Sequence, residues 1–573
     1  MCFRGISPSS FRYLFQIAKI RFKRESDNDL FDKAIQSTPN KVSFNKFDVN
    51  VFSMKHSLFL LIVIFSGKLF SQDSLVRINE VNFSSDFERE TFVKFNKSGN
   101  KELLLPLLLT TYDLANTETA KQINDKISSL TDQLLSEGIR DKKNDKKIKI
   151  VYHDVHTAFL KKYQEEVHFQ DIFTSGNYNC VTASALFAFV FEKLDIPYEI
   201  KEEPTHVYLL AYPNSSNILV ETTTPLTGFL AFDDRFKQNF INVLKNQKII
   251  GSSELSSKST DELFNAYYFK KEKLALQQLV GVHFYNDALF KRDKNDIKGA
   301  YQQMEKAYIL YKAPKSEYLL MHFGVELISK EKLQPKDKAL LISKISRYKD
   351  QGITSEMIKG EFINLTNDLL TRDNNKNLYK ECYQVINRGI TDIELSKEIS
   401  YIYFYENGRI LYNQGNFTSA KPYFEKALAI QPNNSDLIGI FTTSIANTLR
   451  NERRAKPISD SLEVYIKKFP ALLLNNNFNS MIAMSYALRF GEAYQKSNRV
   501  EGETYKSKFE EIISSNKDLS ITPSLVGSAY ASAGSFYFKL GQKKIAKELI
   551  EKGLEIVPEN FELRARLQMI NGH

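Results

Sequence analysis

Residues 176–194 read Gly176-Asn-Tyr-Asn-Cys180-Val-Thr-Ala-Ser-Ala-Leu-Phe-Ala-Phe-Val-Phe-Glu-Lys-Leu194. A short polar approach ends at a lone cysteine, and an almost uninterrupted apolar run follows. Ala183–Leu194 is apolar nearly all round, which is the composition of a helix buried on every side. Asp195-Ile196-Pro197 stops it, because the residue before a proline is pushed out of the helical region. Cys180 therefore heads a core helix, where the aligned peptide dipoles favour a thiolate. The alternative is a small buried hydrophobe, a common role for a free cysteine.

Downstream, Tyr198–Glu202, His206–Tyr212 and Ile218–Thr223 read as strands, with Pro204 breaking the first from the second. Parity then relates His206 to Glu221. A tight turn at Pro213-Asn214 sets them directly opposite. A four-residue loop pairs Tyr208 with Glu221 and leaves the carboxylate diagonal to His206 on the same face. A five-residue loop sends it to the other face.

This order of features resembles the transglutaminase-like superfamily, which shares the papain-like Cys–His–acid site. The residues that carry the likeness are Asn179-Cys180, the buried helix, Asp195-Ile196-Pro197, His206-Val207-Tyr208 and Glu221-Thr222, within roughly Tyr163–Phe229. The resemblance implies an α+β domain in which Cys180 is the nucleophile, His206 the base and Glu221 the residue orienting the imidazole. Asn177, Asn179 and the backbone N–H of Cys180 are candidate oxyanion donors. Two positions depart from the family pattern: Glu221 replaces the usual Asp, and Tyr208 stands where Trp is typical. The implied chemistry is thiol attack on an amide, ending in hydrolysis, as in a protease, or in acyl transfer to an amine. The competing reading is a catalytically inactive interaction scaffold.

A second pattern lies further on. Phe404, Gly408, Ala420, Phe424, Ala427 and Pro432 fall where the 34-residue tetratricopeptide (TPR) repeat places an aromatic, a small residue, Ala, an aromatic, Ala and Pro. Residues 527–560 agree again through Tyr530, Gly534, Tyr537, Ala546 and Pro558, with Gly553 replacing the second Ala. A looser copy spans Val282–Pro314 through Ala300, Met304 and Ala307. The two clear frames are not separated by a whole number of repeats, so irregular helix pairs or insertions are expected between them. Such arrays usually offer an extended face to a protein or peptide partner, and Asn407, Asn413 and Tyr405 are candidates to line it.

The expected organisation is mostly helical overall. Residues 73–162 form a helical N-terminal region, in which Ile123, Ile127, Leu130 and Leu134 fall at helical spacing, Lys142–Lys149 is a charged connector and Ile150–Tyr163 is a helix. Residues 163–275 form the transglutaminase-like α+β domain, and residues 276–573 form an all-α TPR-like solenoid. Upstream, Met54-Lys-His, the apolar run Leu58–Phe65 and Ser71 before Gln72 have the order of a secretory signal peptide, giving 54–72 that role and a periplasmic or secreted destination. The run is too short to span a bilayer, and no transmembrane helix is expected in the mature chain. Residues 1–53 then form a non-native upstream extension, or else a disordered N-terminus.

The formal net charge of +10 is concentrated at the start, since residues 1–72 hold 11 Lys/Arg against 5 Asp/Glu. No basic block with interleaved aromatics suggests nucleic acid as a partner. The cysteines Cys2, Cys180 and Cys382 make no disulfide framework. His153, His156 and His168 have no completing ligands at metal-site spacing, so neither a metal nor another cofactor is expected.

Overall fold

The computed structural model describes residues 75–572, apart from 113, 204–205, 214, 225–227, 232–233, 247–249, 269–272 and 517. The readings of 1–53 and 54–72 lie outside the described residues. The described residues are mostly helical, as expected, and their strands form two small sheets.

Among the described residues, four helices of six residues or more precede the cysteine, Asp86–Ser98, Leu104–Leu109, Thr117–Ser136 and Asn144–Phe159, followed by the single turn Asp171–Thr174. Ser85 and Asn116 cap the first and third by accepting the N–H groups of Glu88 and Thr119, which satisfies donors that a helix start leaves open. The charged stretch Lys142–Lys149 is not a connector, because the fourth helix begins within it at Asn144. Buried Ile148, Val151, Tyr152 and Val155 recur every three or four residues. Lys146 and Lys149 are the exposed side of that amphipathic turn.

A parallel pair, β1 (Lys162–Tyr163) and β2 (Asn177–Tyr178), ties the approach to Cys180 back to the end of this helix. The Cys180–Lys193 helix follows, with every residue from Val181 to Phe191 buried. The main sheet contains β3 (Tyr198–Glu203), β4 (His206–Ala211), β5 (Ile218–Val220), β6 (Phe229–Ala231) and β7 (Lys273–Leu274). Its order is β6-β5-β4-β3-β7, with all pairs antiparallel. Val207, Leu209, Ala211, Ile218 and Val220 share one apolar core with the buried helix. Leu210, on the opposite parity, packs with Ile241, Ile250, Leu263 and Phe264 from the segments after β6. The third predicted strand is shorter than expected. It ends at Val220, and Glu221 begins a turn whose carbonyls are taken by a side chain rather than by a neighbouring strand.

From Leu276 onward successive helices pack as neighbours. Leu276–Asp293 packs on Ile297–Leu310, Ile393–Asn413 on Phe417–Ile430, and Pro523–Lys539 on Lys543–Ile556. Between the two clear repeat frames come Ser435–Leu449 with Ala455–Lys468, a 3₁₀ turn at Pro470–Leu474, and the longer pair Asn476–Gln495 and Arg499–Ser515. The longer helices and the added turn account for a spacing that is not a multiple of 34. The small residues of the repeat are where helices meet. A Cβ at Gly408 would lie 2.6 Å from the Phe424 ring, and one at Gly553 would lie 2.8 Å from both Tyr530 and Leu563. Gly408→Val is therefore expected to destabilise the chain by about 1–3 kcal/mol through overpacking, seen as a lower urea midpoint for loss of helical signal.

Candidate functional site

The helix headed by Cys180 starts where it does because Asn179 and Thr182 form a reciprocal cap. The Asn179 side chain accepts the Thr182 N–H at 2.9 Å, and the Thr182 hydroxyl accepts the Asn179 N–H at 2.9 Å. The Asn179 amide also donates to the Glu165 carbonyl at 2.9 Å, which joins the cap to the loop after β1. Gly176 turns the chain into β2 at φ 77°, and a Cβ there would strike the Lys161 side chain. Cys180 is left half-buried with a free thiol.

The register of β4 on β5 pairs Leu209 with Val220 and Ala211 with Ile218. Extended by one pair, it sets Tyr208 opposite Glu221 and leaves Glu221 diagonal to His206, which is the register of the four-residue loop. The imidazole closes the diagonal: His206 Nε2 lies 2.6 Å from Glu221 Oε2. The Cys180 side chain faces the same ring closely enough to raise its pKa. Interactions with Cys180 and Glu221 outweigh burial and push the imidazole up to about 10. Burial opposes the Glu221 charge, but hydrogen bonds from His206 and Thr223 hold the carboxyl below its ordinary value. The other carboxylate oxygen accepts the Thr223 hydroxyl at 2.7 Å and the Thr223 N–H at 3.2 Å. With both oxygens engaged, the carboxylate is fixed toward the ring, and Tyr208 lies beside it with ring centroids 6.4 Å apart.

The structure thus brings Cys180, His206 and Glu221 together. The two asparagines are differently placed. Both polar ends of Asn179 are engaged in the cap and the loop, and the Asn177 amide donates to Gln164 Oε1 at 3.2 Å. Of the candidate lining of the repeats, Asn407 is buried and donates to the Tyr403 carbonyl, Tyr405 stacks on Tyr401, and Asn413 is exposed. His156 is buried among Tyr152, Tyr178 and Phe187, and burial drives its imidazole down to about 4. Among the described residues no group of three or more His, Cys, Asp and Glu is placed to hold a metal ion.

Sequence reading missed three residues that hold the acid in place. The Tyr152 hydroxyl reaches the carbonyls of Glu221 at 2.7 Å and Thr224 at 2.8 Å. The Glu221 N–H donates to the Gly228 carbonyl. Thr223 supplies the two hydrogen bonds to the carboxylate. Of these, only Thr223 was close enough in sequence to Glu221 to be suspected.

The tetratricopeptide repeat family model matches residues 401–434, and a second model of the same repeat matches residues 527–560. Both windows are helix pairs in the structure, and neither reaches the Cys180 region. No curated protein matches the chain. Among solved structures, a chain of the "Crystal structure of APC/C hetero-tetramer Cut9-Hcn1" aligns with 90% of this chain and 93% of its own length at 11% identity. Its TM-score is 0.14, which carries no argument about fold or function.

The raised His206 imidazole gives a pH prediction with a definite sign. A group whose pKa rises on folding adds stability below its unfolded value, and the gain is lost as pH climbs through the folded value. The His206 contribution should be full below about 6.5 and disappear through about 10. NMR titration of the imidazole should place its midpoint near 10 in the folded chain, and Glu221→Gln should move it down toward the ordinary histidine value.

Proposed function

We propose that the chain is a protein-interaction scaffold whose partner binds the helical repeats. The observation that carries this reading is the pair of tetratricopeptide matches, each falling on a packed helix pair with its small residues at the helix contacts. Repeats of this kind stack into surfaces suited to a protein or peptide. Cross-linking of the affinity-purified chain in its native host should place partner cross-links on residues 393–571, with Cys180→Ala leaving them unchanged. Cross-links confined to residues 75–275 would overturn the assignment.

A second reading rests on the contact of Cys180, His206 and Glu221: a transglutaminase-like domain over residues 163–275 with thiol chemistry on an amide. The proton shared by Cys180 and His206 would rest on the imidazole as the sulfur attacks the carbonyl carbon, and would pass to the departing nitrogen, giving an acyl-thioester and a free amine. Water would return the free acid, and an incoming amine would give a new amide. Glu221 would keep the imidazole directed at the sulfur. The helix start and the raised imidazole support this role, and the exported location proposed for the chain from residues 54–72 is compatible with it. Iodoacetamide should alkylate Cys180 rapidly at neutral pH, and His206→Ala should slow the reaction by about 10²-fold or more. Cys382 should stay unmodified in the folded chain, because it is fully buried and burial pushes its thiol up to about 11. An alkylation rate that ignores His206→Ala would defeat the thiol reading and leave the scaffold reading standing.

A further inference from the structure

We propose that Tyr152 is a positioning residue for Glu221, a role that rests on the thiol reading of the Cys180 site. Tyr152 belongs to the Asn144–Phe159 helix and is 2% exposed. One end of its ring system serves packing: it stacks on Phe187 of the Cys180–Lys193 helix, with centroids 5.5 Å apart and planes 23° from parallel. Phe229 of β6 meets it from the other strand segment at 5.7 Å. The hydroxyl does something packing does not require. It lies 2.7 Å from the Glu221 carbonyl and 2.8 Å from the Thr224 carbonyl, bracketing the turn that carries the acid.

The Thr222 hydroxyl of that turn also meets Ser184 Oγ of the Cys180 helix at 3.3 Å, but the bonds to the carboxylate come from the sheet side. Thr223 holds one carboxylate oxygen and His206 the other, so they fix the side chain within the turn without placing the turn against the Cys180 helix. Tyr152 joins the two through the backbone of the acid itself: its ring rests on the helix that begins at Cys180, and its hydroxyl grips the turn that begins at Glu221. Gly228 makes room for the grip. A Cβ there would lie 1.9 Å from the Tyr152 oxygen and 2.2 Å from the Glu221 carbonyl. Burial, with the Glu221 charge and Tyr178 nearby, raises the phenol far above its ordinary range and outweighs its hydrogen bond to Thr224, so it remains a donor at any working pH. The neighbouring His156 imidazole, driven down by burial, is neutral there and adds no competing charge.

The test is a double-mutant cycle of Tyr152→Phe and Glu221→Ala, read by iodoacetamide alkylation of Cys180 and by NMR titration of His206. Tyr152→Phe keeps the ring and removes only the hydroxyl. It should slow alkylation about tenfold and lower the His206 midpoint from near 10 toward the ordinary histidine value. In the Glu221→Ala background the same substitution should cost no further rate, because the residue it acts through is gone. Wild-type titration and alkylation in Tyr152→Phe would overturn the proposal. So would additive effects of the two substitutions, which would mean that Tyr152 acts through general stability, and the cycle decides this even where the single variant unfolds earlier. Failure of the thiol reading is separately visible in His206→Ala, whose unchanged alkylation would remove the premise without involving Tyr152.

Discussion

Burial of the Cys180–Lys193 helix on all sides constrains everything around it. Eleven consecutive residues, Val181 to Phe191, are withdrawn from water, and a helix so enclosed has chemistry to offer only at its ends. Its N-terminus cannot leave N–H groups unpaired inside a core, since each would cost about 1–3 kcal/mol. The Asn179–Thr182 cap meets that demand and in doing so decides which residue stands first on the helix. The apolar side of the sheet must then lie on this helix, which commits Val207, Leu209 and Ala211 to one face and their neighbours to the other. His206 at the strand start and Glu221 beyond the end of β5 take their places as a consequence of that packing.

Much of this was legible in the sequence because it depends on local periodicity. An apolar run closed by Asp195-Ile196-Pro197 marks the helix, and alternation in β4 marks its parity. Even the register lay among a few countable choices, and the loop Tyr212–Asn217 selects the one that leaves Glu221 diagonal to His206. What was not legible depends on contacts between distant segments. Strand β5 looked longer than it is because Glu221-Thr222-Thr223 has strand-like composition. A tyrosine 69 residues upstream takes the carbonyls that a further strand pair would have used. Nothing in the spacing of Tyr152 and Gly228 announces that their atoms meet. The start of the Asn144 helix was hidden for a different reason: a run of lysines resembles a connector until the buried stripe beneath it is known.

The charged residues of the N-terminal region obey a similar long-range logic. Glu88 is fully buried and pairs with Lys306, itself almost fully buried, at 2.7 Å. Arg347 meets both oxygens of Glu80 at 2.6 and 2.7 Å, and Lys344 joins Glu305 to the Glu80 carbonyl. Buried ions are costly unless paired, and breaking such a pair typically costs several kcal/mol. These contacts fasten residues 80–88 to helices more than 200 residues later. They do so beside an apolar core that draws residues from Val76 to Val220 and again from Leu274 to Tyr403. The N-terminal helices, the sheet and the first helix pairs after Leu276 are therefore packed as one body, whatever boundaries composition suggests.

The two clear repeats stand differently toward that body. Residues 527–560 belong wholly to a second core spanning Ala420 to Leu563. Residues 401–434 straddle the seam: Phe404, which fills the first aromatic position of the repeat pattern, packs against both cores and meets Tyr383 and Tyr403 edge-on. In a stacked array each unit is stabilised chiefly by its neighbours, so substitutions in the last repeat reach the Cys180 helix only through a long succession of interfaces. Substitutions at Phe404 act on the seam directly. The surface of the last repeat is thus free to vary while the cap, parity and turn that assemble Cys180, His206 and Glu221 stay fixed by the first core.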